Sequence, residues 1–400
     1  MSQETQLNLD ASRPIRRYDF DWLKVAATLT VFIFHCLRFF DLEAWHVKNA
    51  QLSAVATVFA MLLLQWIMPL FFVLSGASIY FALKVRTAEQ FLRERCMRLL
   101  IPLFFGIFIL SPPQVYLERL SNPDRGVAPW NGGWQFSGSF WEFIPFYFQG
   151  WYLFGGNFAW MGLHLWYLLA LFLFSLLMLP LFLRIKRGKK EKLIEMLAFV
   201  LEKPGVIFLV GLPIAVLESG LDPAALGSRT AGGWNFFSYL TFLLCGYLIV
   251  GDRRIEQAVN RHFVTALAIA GLTTPLLLEP IHHLFSWDGS AYGSLGYTLM
   301  AMLRSFNSWC WIMTFLSLGR KFLNFSHPSL RYMSEASLPF YILHQPIIIF
   351  IGFVIAGWDL GVLPKFMLLS LVAFMAIALV YEMLVRRIGL LRVLCGLKPT

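Results

Sequence analysis

Apolar residues fall along this chain in long unbroken runs, and short clusters of arginine and lysine punctuate them. The runs lie at about Trp22–Phe40, Leu62–Leu83, Leu99–Leu117, Leu163–Leu183, Val206–Leu221, Phe236–Val250, Phe263–Leu278, Tyr292–Leu318, Leu338–Trp358 and Phe366–Val385. A helix that crosses a bilayer needs ~20 apolar residues. The pattern therefore predicts an all-α fold, a polytopic membrane helix bundle of about ten transmembrane helices. The second run can begin as early as Leu52, and Pro69 predicts a kink in it, because proline removes a backbone donor. The first run is too long for the apolar region of a signal peptide and has no small-residue cleavage site, so it is expected to be retained.

Cations between the runs test this count, because lysine and arginine collect on the cytoplasmic side of a membrane protein. With ten spans, 26 of the 33 fall on one side and only Lys48, Arg119, Arg125, Arg229 and Lys365 on the other. Both termini are then expected in the cytoplasm, in a multi-pass protein of the cell (inner, cytoplasmic) membrane. Arg38 and Arg304 remain, at the end of or inside predicted helices. Arg304 should have a partner, for which Glu279 and Asp288 are the candidates.

Composition narrows the picture further. The 400 residues are 58% hydrophobic and 14% charged, so ten spans leave little chain for a separate soluble domain. One integral-membrane domain over residues 1–400 is expected, with a cytoplasmic tail at 1–21 and an extracytoplasmic loop at 118–162. The formal charge of +10 is accounted for by orientation in the bilayer, which removes the reason to invoke nucleic acid. Five cysteines without CxxC spacing suggest neither a disulfide framework nor a metal site, and His282 and His283 lack further ligands at metal spacing. From Trp130 to Trp160, fourteen of thirty-one residues are Trp, Tyr or Phe. Two readings fit them, an aromatic belt at the membrane interface or a platform on which sugar rings stack.

Candidate chemistry begins in the first span. His35 follows Lys24 by eleven residues, which returns it to the same helix face ~17 Å deeper. Asp21, Thr28 and Arg38 share that stripe, so one face stays polar from the cytoplasm past the middle of the span. An ionisable residue at that depth must face the bundle interior or a cavity, and a neutral imidazole there can accept a proton. Asp21 is roughly 21 Å away by helical rise, so a partner that orients the imidazole has to come from another span. Arg95 and Arg98, spaced R-x-x-R, enter the third span from the cytoplasm. Positive-inside topology and a phosphate clamp both account for them. Ser75, beside Gly76, reads as a close-packing position rather than a nucleophile.

At these residues the chain resembles the acyltransferase-3 family of multi-pass membrane enzymes. The family's basic residue, ten residues, then histidine matches Lys24 and His35, with lysine in place of the commoner arginine, and its R-x-x-R matches Arg95-Cys96-Met97-Arg98. Supporting segments are Phe72-Val73-Leu74-Ser75-Gly76, His164-Leu165-Trp166-Tyr167-Leu168 and Phe340-Tyr341-Ile342-Leu343-His344. The resemblance implies acyl-CoA, first of all acetyl-CoA, as cytoplasmic donor, His35 as the catalytic residue, and Arg95 and Arg98 at the donor site with Lys24. Arg38, His164, Trp166, Tyr341 and His344 are expected to bind the acceptor or support the site. The acceptor is expected to be a carbohydrate or glycolipid at the membrane. Some relatives carry a fused extracytoplasmic domain that takes part in transfer; this chain, surrounded by membrane lipids, is expected to complete transfer alone or to hand the acyl group to a separate extracytoplasmic partner. His35 acts either as general base or as a covalent acyl carrier. The alternative class is a secondary transporter or lipid-linked sugar flippase, which a 5+5 repeat of motifs would favour.

Overall fold

The computed structural model describes residues 16–121, 135–186, 191–229, 231–278 and 291–399. Every apolar run forms helix. In chain order these are α1 (Tyr18–Arg38), α2 (Ala54–Val85), α3 (Ala88–Leu120), a short outer α4 (Phe140–Tyr147), α5 (Leu163–Lys186), α6 (Glu191–Leu201), α7 (Val206–Gly220), α8 (Phe236–Ile249), α9 (Arg253–Arg261), α10 (Phe263–Leu277), α11 (Leu295–Phe322), α12 (Pro328–Ile355) and α13 (Val362–Val385). Among the described residues six are long and apolar enough to cross a membrane: α1, α2, α3, α5, α12 and α13. A seventh candidate, α8 with α9, is bent by 107°, and α7 and α10 are shorter apolar helices. The fold is an all-helical polytopic bundle with six to seven candidate spans of full length, fewer than the ten runs in the sequence. Turns interrupt two of the other runs: residues 206–210 form a tight 3-10 turn before α7 continues, and α10 ends in another at Pro275–Leu277.

Prolines shape three of the spans. The kink expected at Pro69 is realised as a break at Gln65 and Trp66, which puts Pro69 in the first turn of the segment Ile67–Val85, where its missing N–H is not needed. In α3 two π-helical turns, Cys96–Leu100 and Gly106–Leu110, each stand just before prolines, Pro102 and the Pro112–Pro113 pair. Proline cannot supply the donor that the preceding turn expects, and the widened turn absorbs the defect. In α12, Pro339 and Pro346 lie inside a continuous helix. Pro346 leaves the carbonyl of Ile342 without its intrahelical donor.

The bundle is tied together by close packing and by polar ends. A Cβ on Gly76 would lie 1.9 Å from the Leu243 carbonyl oxygen, and one on Gly246 would lie 1.9 Å from that of Val73, so α2 and α8 touch backbone to backbone. Gly76 is thus the close-packing position, while Ser75 beside it turns to another face. α1 packs against α12, where Gly352 leaves room for Phe39. Before the first turn of α1 Arg17 bonds Asp19 and Glu256, both at 2.7 Å, which fastens the start of α1 to the amphipathic α9. Arg304 donates to the Gly233 carbonyl at 2.5 Å and lies 4.1 Å over the Trp234 ring. Its expected acidic partners, Glu279 and Asp288, lie outside the described residues, as do His282 and His283.

Candidate active site

α1 carries His35 one turn before its C-terminal end at Arg38. Its shielding comes from neighbours. The ring Nδ1 is 2.9 Å from the Val31 carbonyl and 3.1 Å from Nε2 of His344 on α12. His344 Nδ1 in turn lies 2.5 Å from the Tyr341 carbonyl. Carbonyls only accept, so both Nδ1 atoms carry the proton, an assignment made from hydrogen-bond partners. His344 Nε2 is then a lone pair that accepts from His35 Nδ1–H. His35 Nε2 is left as a basic nitrogen with no partner among the described residues.

Two further residues complete a layer around this pair. His164 Nε2 lies 3.1 Å from the Ile342 carbonyl, the one that Pro346 leaves free, and so bears the proton there. The Tyr341 hydroxyl donates to the main-chain carbonyl of His164. His164 and His344 rings meet edge to face at 5.0 Å, and His344 is only 1% exposed. His35, His164, Tyr341 and His344, named separately in the sequence, are therefore one contiguous cluster. The orienting partner required for His35 is His344.

A cavity of about 620 Å³ opens below this layer and a smaller one of about 230 Å³ above it. The inner cavity is lined by Arg16, Arg17, Lys24, Arg86, Arg95 and Arg98, with Ser75, Tyr167 and Tyr341 among its apolar walls. Four of these cations have carboxylate partners: Arg16 with Asp21, Arg17 with Asp19 and Glu256, and Arg86 and Arg98 with Glu94. Lys24 and Arg95 bond no acid among the described residues; the Arg95 guanidinium lies 4.8 Å over the Phe91 ring. Two unmatched cations in a roomy, partly apolar cleft suit a polyanion with an extended arm. Ser75 Oγ and the Tyr167 hydroxyl share a hydrogen bond of 2.6 Å on its wall.

The outer cavity is lined by His35, Arg38, Trp45, His46, Tyr152, Trp160, His164, Trp166 and Gln345, among others. Arg38 is held by Asp41 at 2.6 Å and by the Ala44 carbonyl at 2.7 Å, and Lys48 shares Asp41. It therefore braces the outer loop as well as lining the cavity. Trp166 packs on Tyr239 at 5.2 Å. Sequence reading missed a second polar group here. His46 Nδ1 bonds Glu118, which also accepts from the Tyr152 hydroxyl at 2.6 Å and pairs with Arg119 at 3.1 Å, and Gln345 lies 3.2 Å from His46 Nε2. An acid ending an apolar run, Glu118, was the available signal; His46, in a short polar connection, offered none.

Comparison with known proteins follows the same residues. A family model described as an acyltransferase domain, the acyltransferase-3 family, matches residues 17–383. Over 387 residues the chain is 24% identical to glucans biosynthesis protein C of Salmonella typhi and of Salmonella typhimurium, covering 96% of this chain and 95% of those relatives. The same figures hold for the protein of that name from Salmonella agona. No solved structure matches the chain. The family match across nearly the whole length identifies the chain as a member of the acyltransferase-3 family, a multi-pass membrane acyltransferase.

Proposed function

We propose that the protein moves an acyl group, first of all acetyl, from cytoplasmic acyl-CoA to a hydroxyl of a carbohydrate on the opposite face of the cell membrane, with both termini in the cytoplasm and the ten apolar runs threaded alternately through the bilayer. The observation that carries this reading is the position of His35: its Nε2, without a partner among the described residues, stands on the wall of the aromatic outer cavity, while its neighbour His344 bonds Tyr341, which lines the cation-rich inner one. The name of the similar proteins, glucans biosynthesis protein C, supports a carbohydrate acceptor.

In this reading the CoA phosphates lie against Lys24, Arg95 and Arg98, and the thioester reaches toward the Tyr167–Ser75–Tyr341 wall. An acceptor hydroxyl in the outer cavity gives its proton to His35 Nε2 as its oxygen attacks the thioester carbonyl. His35 is a general base, and its Nδ1–H, held by Val31 and His344, keeps the lone pair on the reactive nitrogen. The C–S bond then breaks and the leaving thiolate takes the proton back from the imidazolium. Residues flanking the thioester, Ser75 and Tyr167, offer hydroxyls to the carbonyl oxygen as it gains charge.

Sealed inside-out vesicles provide the test. Wild type and a His35→Ala variant at equal level are given acetyl-CoA with native glycans, and free CoA thiol and luminal acetyl ester are followed. Expected is ester in the lumen that depends on His35, with the variant slower by about 10²–10⁴-fold. Absence of release with acetyl-CoA, succinyl-CoA and added glycans, together with flux of an intact substrate, would replace this reading with transport.

A further inference from the structure

The acyltransferase reading leaves open what the outer cavity accepts, and the inference drawn here rests on that reading. Three indoles, Trp45, Trp160 and Trp166, line a volume of about 230 Å³. This is smaller than the ~300–1,000 Å³ of pockets for drug-sized ligands. It has room for one sugar ring and not for a stretch of polymer. Trp45 stands 6.2 Å from the His35 ring, centroid to centroid, and Trp160 is backed by Trp151 at 5.7 Å.

Two polar atoms of this wall are unused. Trp160 Nε1 and His164 Nδ1 are both buried without a hydrogen-bond partner among the described residues, and His164 as a whole is 6% exposed. Since His164 Nε2 bears the proton toward Ile342, its Nδ1 is a lone pair. The wall therefore keeps one spare donor and one spare acceptor, the pair that a single hydroxyl satisfies by accepting from one and donating to the other. Buried groups of this kind are costly to leave unmade. Charge selects further. The guanidinium on this wall, Arg38, is already bonded to Asp41, in contrast to Lys24 and Arg95 on the inner side.

We propose that the outer cavity is a subsite for one neutral pyranose residue: an indole face stacks on the apolar face of the ring, Trp160 Nε1 and His164 Nδ1 hold one hydroxyl, and a neighbouring hydroxyl is presented to His35. The acceptor then enters one ring at a time, as a chain end or a single projecting residue.

Saturation-transfer NMR on the full-length protein in lipid nanodiscs, without donor, tests this by binding alone. The probes are methyl β-glucopyranoside, glucuronate and glycerol. Expected is transfer to the ring C–H protons of the glucoside, weaker for the charged sugar and absent for the acyclic polyol. Trp160→Ala should weaken glucoside binding by about tenfold and Trp160→Phe, which keeps the stack but not the N–H, by about threefold. Trp141→Ala, on the 78% exposed side chain of the outer helix, should leave it unchanged. Melting temperatures close to wild type certify the variants. No transfer from protein that still releases CoA through His35, equal binding of all three probes, or indifference to Trp160 would overturn the subsite and leave the acyltransferase reading in place. Trp160-dependent binding in a protein that releases no CoA would do the reverse.

Discussion

His35 has two neighbours for one proton: Nδ1–H is shared between the Val31 carbonyl, its own helix's i−4 group, and His344 Nε2 on α12. The first would hold any histidine at this position; only the second ties the ring to another span. On the proposed mechanism His344 is a positioning residue, acting through His35. Its replacement by alanine should lower kcat about fivefold with the donor KM little changed, because one shared hydrogen bond is worth ~1 kcal/mol. His344→Gln, whose amide oxygen can accept the same proton, should recover part of the loss, and the pH–rate profile should move in the alanine variant but not in the glutamine one. An alanine variant whose kcat and profile match wild type would remove His344 from the mechanism. His164 shows how a neighbouring defect places a side chain. Pro346 withholds the N–H that would bond the Ile342 carbonyl, and His164 supplies it from α5.

At the scale of elements, the contact between α2 and α8 sets where Ser75 points. Gly76 and Gly246 form a reciprocal pair in which each absent Cβ makes room for the other helix's backbone, at Leu243 and Val73 respectively. A methyl at Gly76 meets backbone atoms, which cannot rotate away. Gly76→Ala should therefore part the helices and destabilise the fold by about 1–3 kcal/mol or more, read as a lowered melting temperature in detergent. It should also disturb the Ser75–Tyr167 bond, and with it the inner wall. Unaltered melting would show that the helices can separate at little cost. In α3 the first of the two π-turns, Cys96–Leu100, re-aims the helix just where Arg95 and Arg98 meet the inner cavity. On a regular helix the R-x-x-R spacing puts both cations on one face; the π-turn that begins at Cys96 changes their geometry, and both side chains still line the same cavity.

For the molecule as a whole, the proposed function places the two cavities toward different compartments. Phe154, 77% exposed near the outer cavity's wall, and Lys321, exposed at the end of α11 beside Arg320, give a direct test of the proposed orientation. A cysteine at Phe154 should react with a membrane-impermeant maleimide in intact cells, whereas one at Lys321 should react only after the cells are opened. Four of the five native cysteines are buried, which keeps the background low. Labelling of both positions from the same side would overturn the proposed topology and the assignment of donor and acceptor faces with it.

Several properties were fixed by sequence alone: an all-helical membrane architecture, the alternation of cations, and the identity of Lys24, His35, Arg95 and Arg98 as residues of interest. Helical periodicity and the cost of burying charge in a bilayer are local or one-dimensional rules, so a linear reading captures them. The motifs at 164–168 and 340–344 were legible as segments, but nothing in a linear pattern joins His164 to Ile342 or His344 to His35 across 178 and 309 positions. Tertiary structure made those unions, and it also decided which cations are spent. Arg38 is committed to Asp41 while Lys24 and Arg95 remain unmatched among the described residues, because ion pairing depends on the distance between side chains and not on their order. Likewise the count of full-length spans and the His46–Glu118–Tyr152 group emerge only when turns, prolines and loops are placed in space.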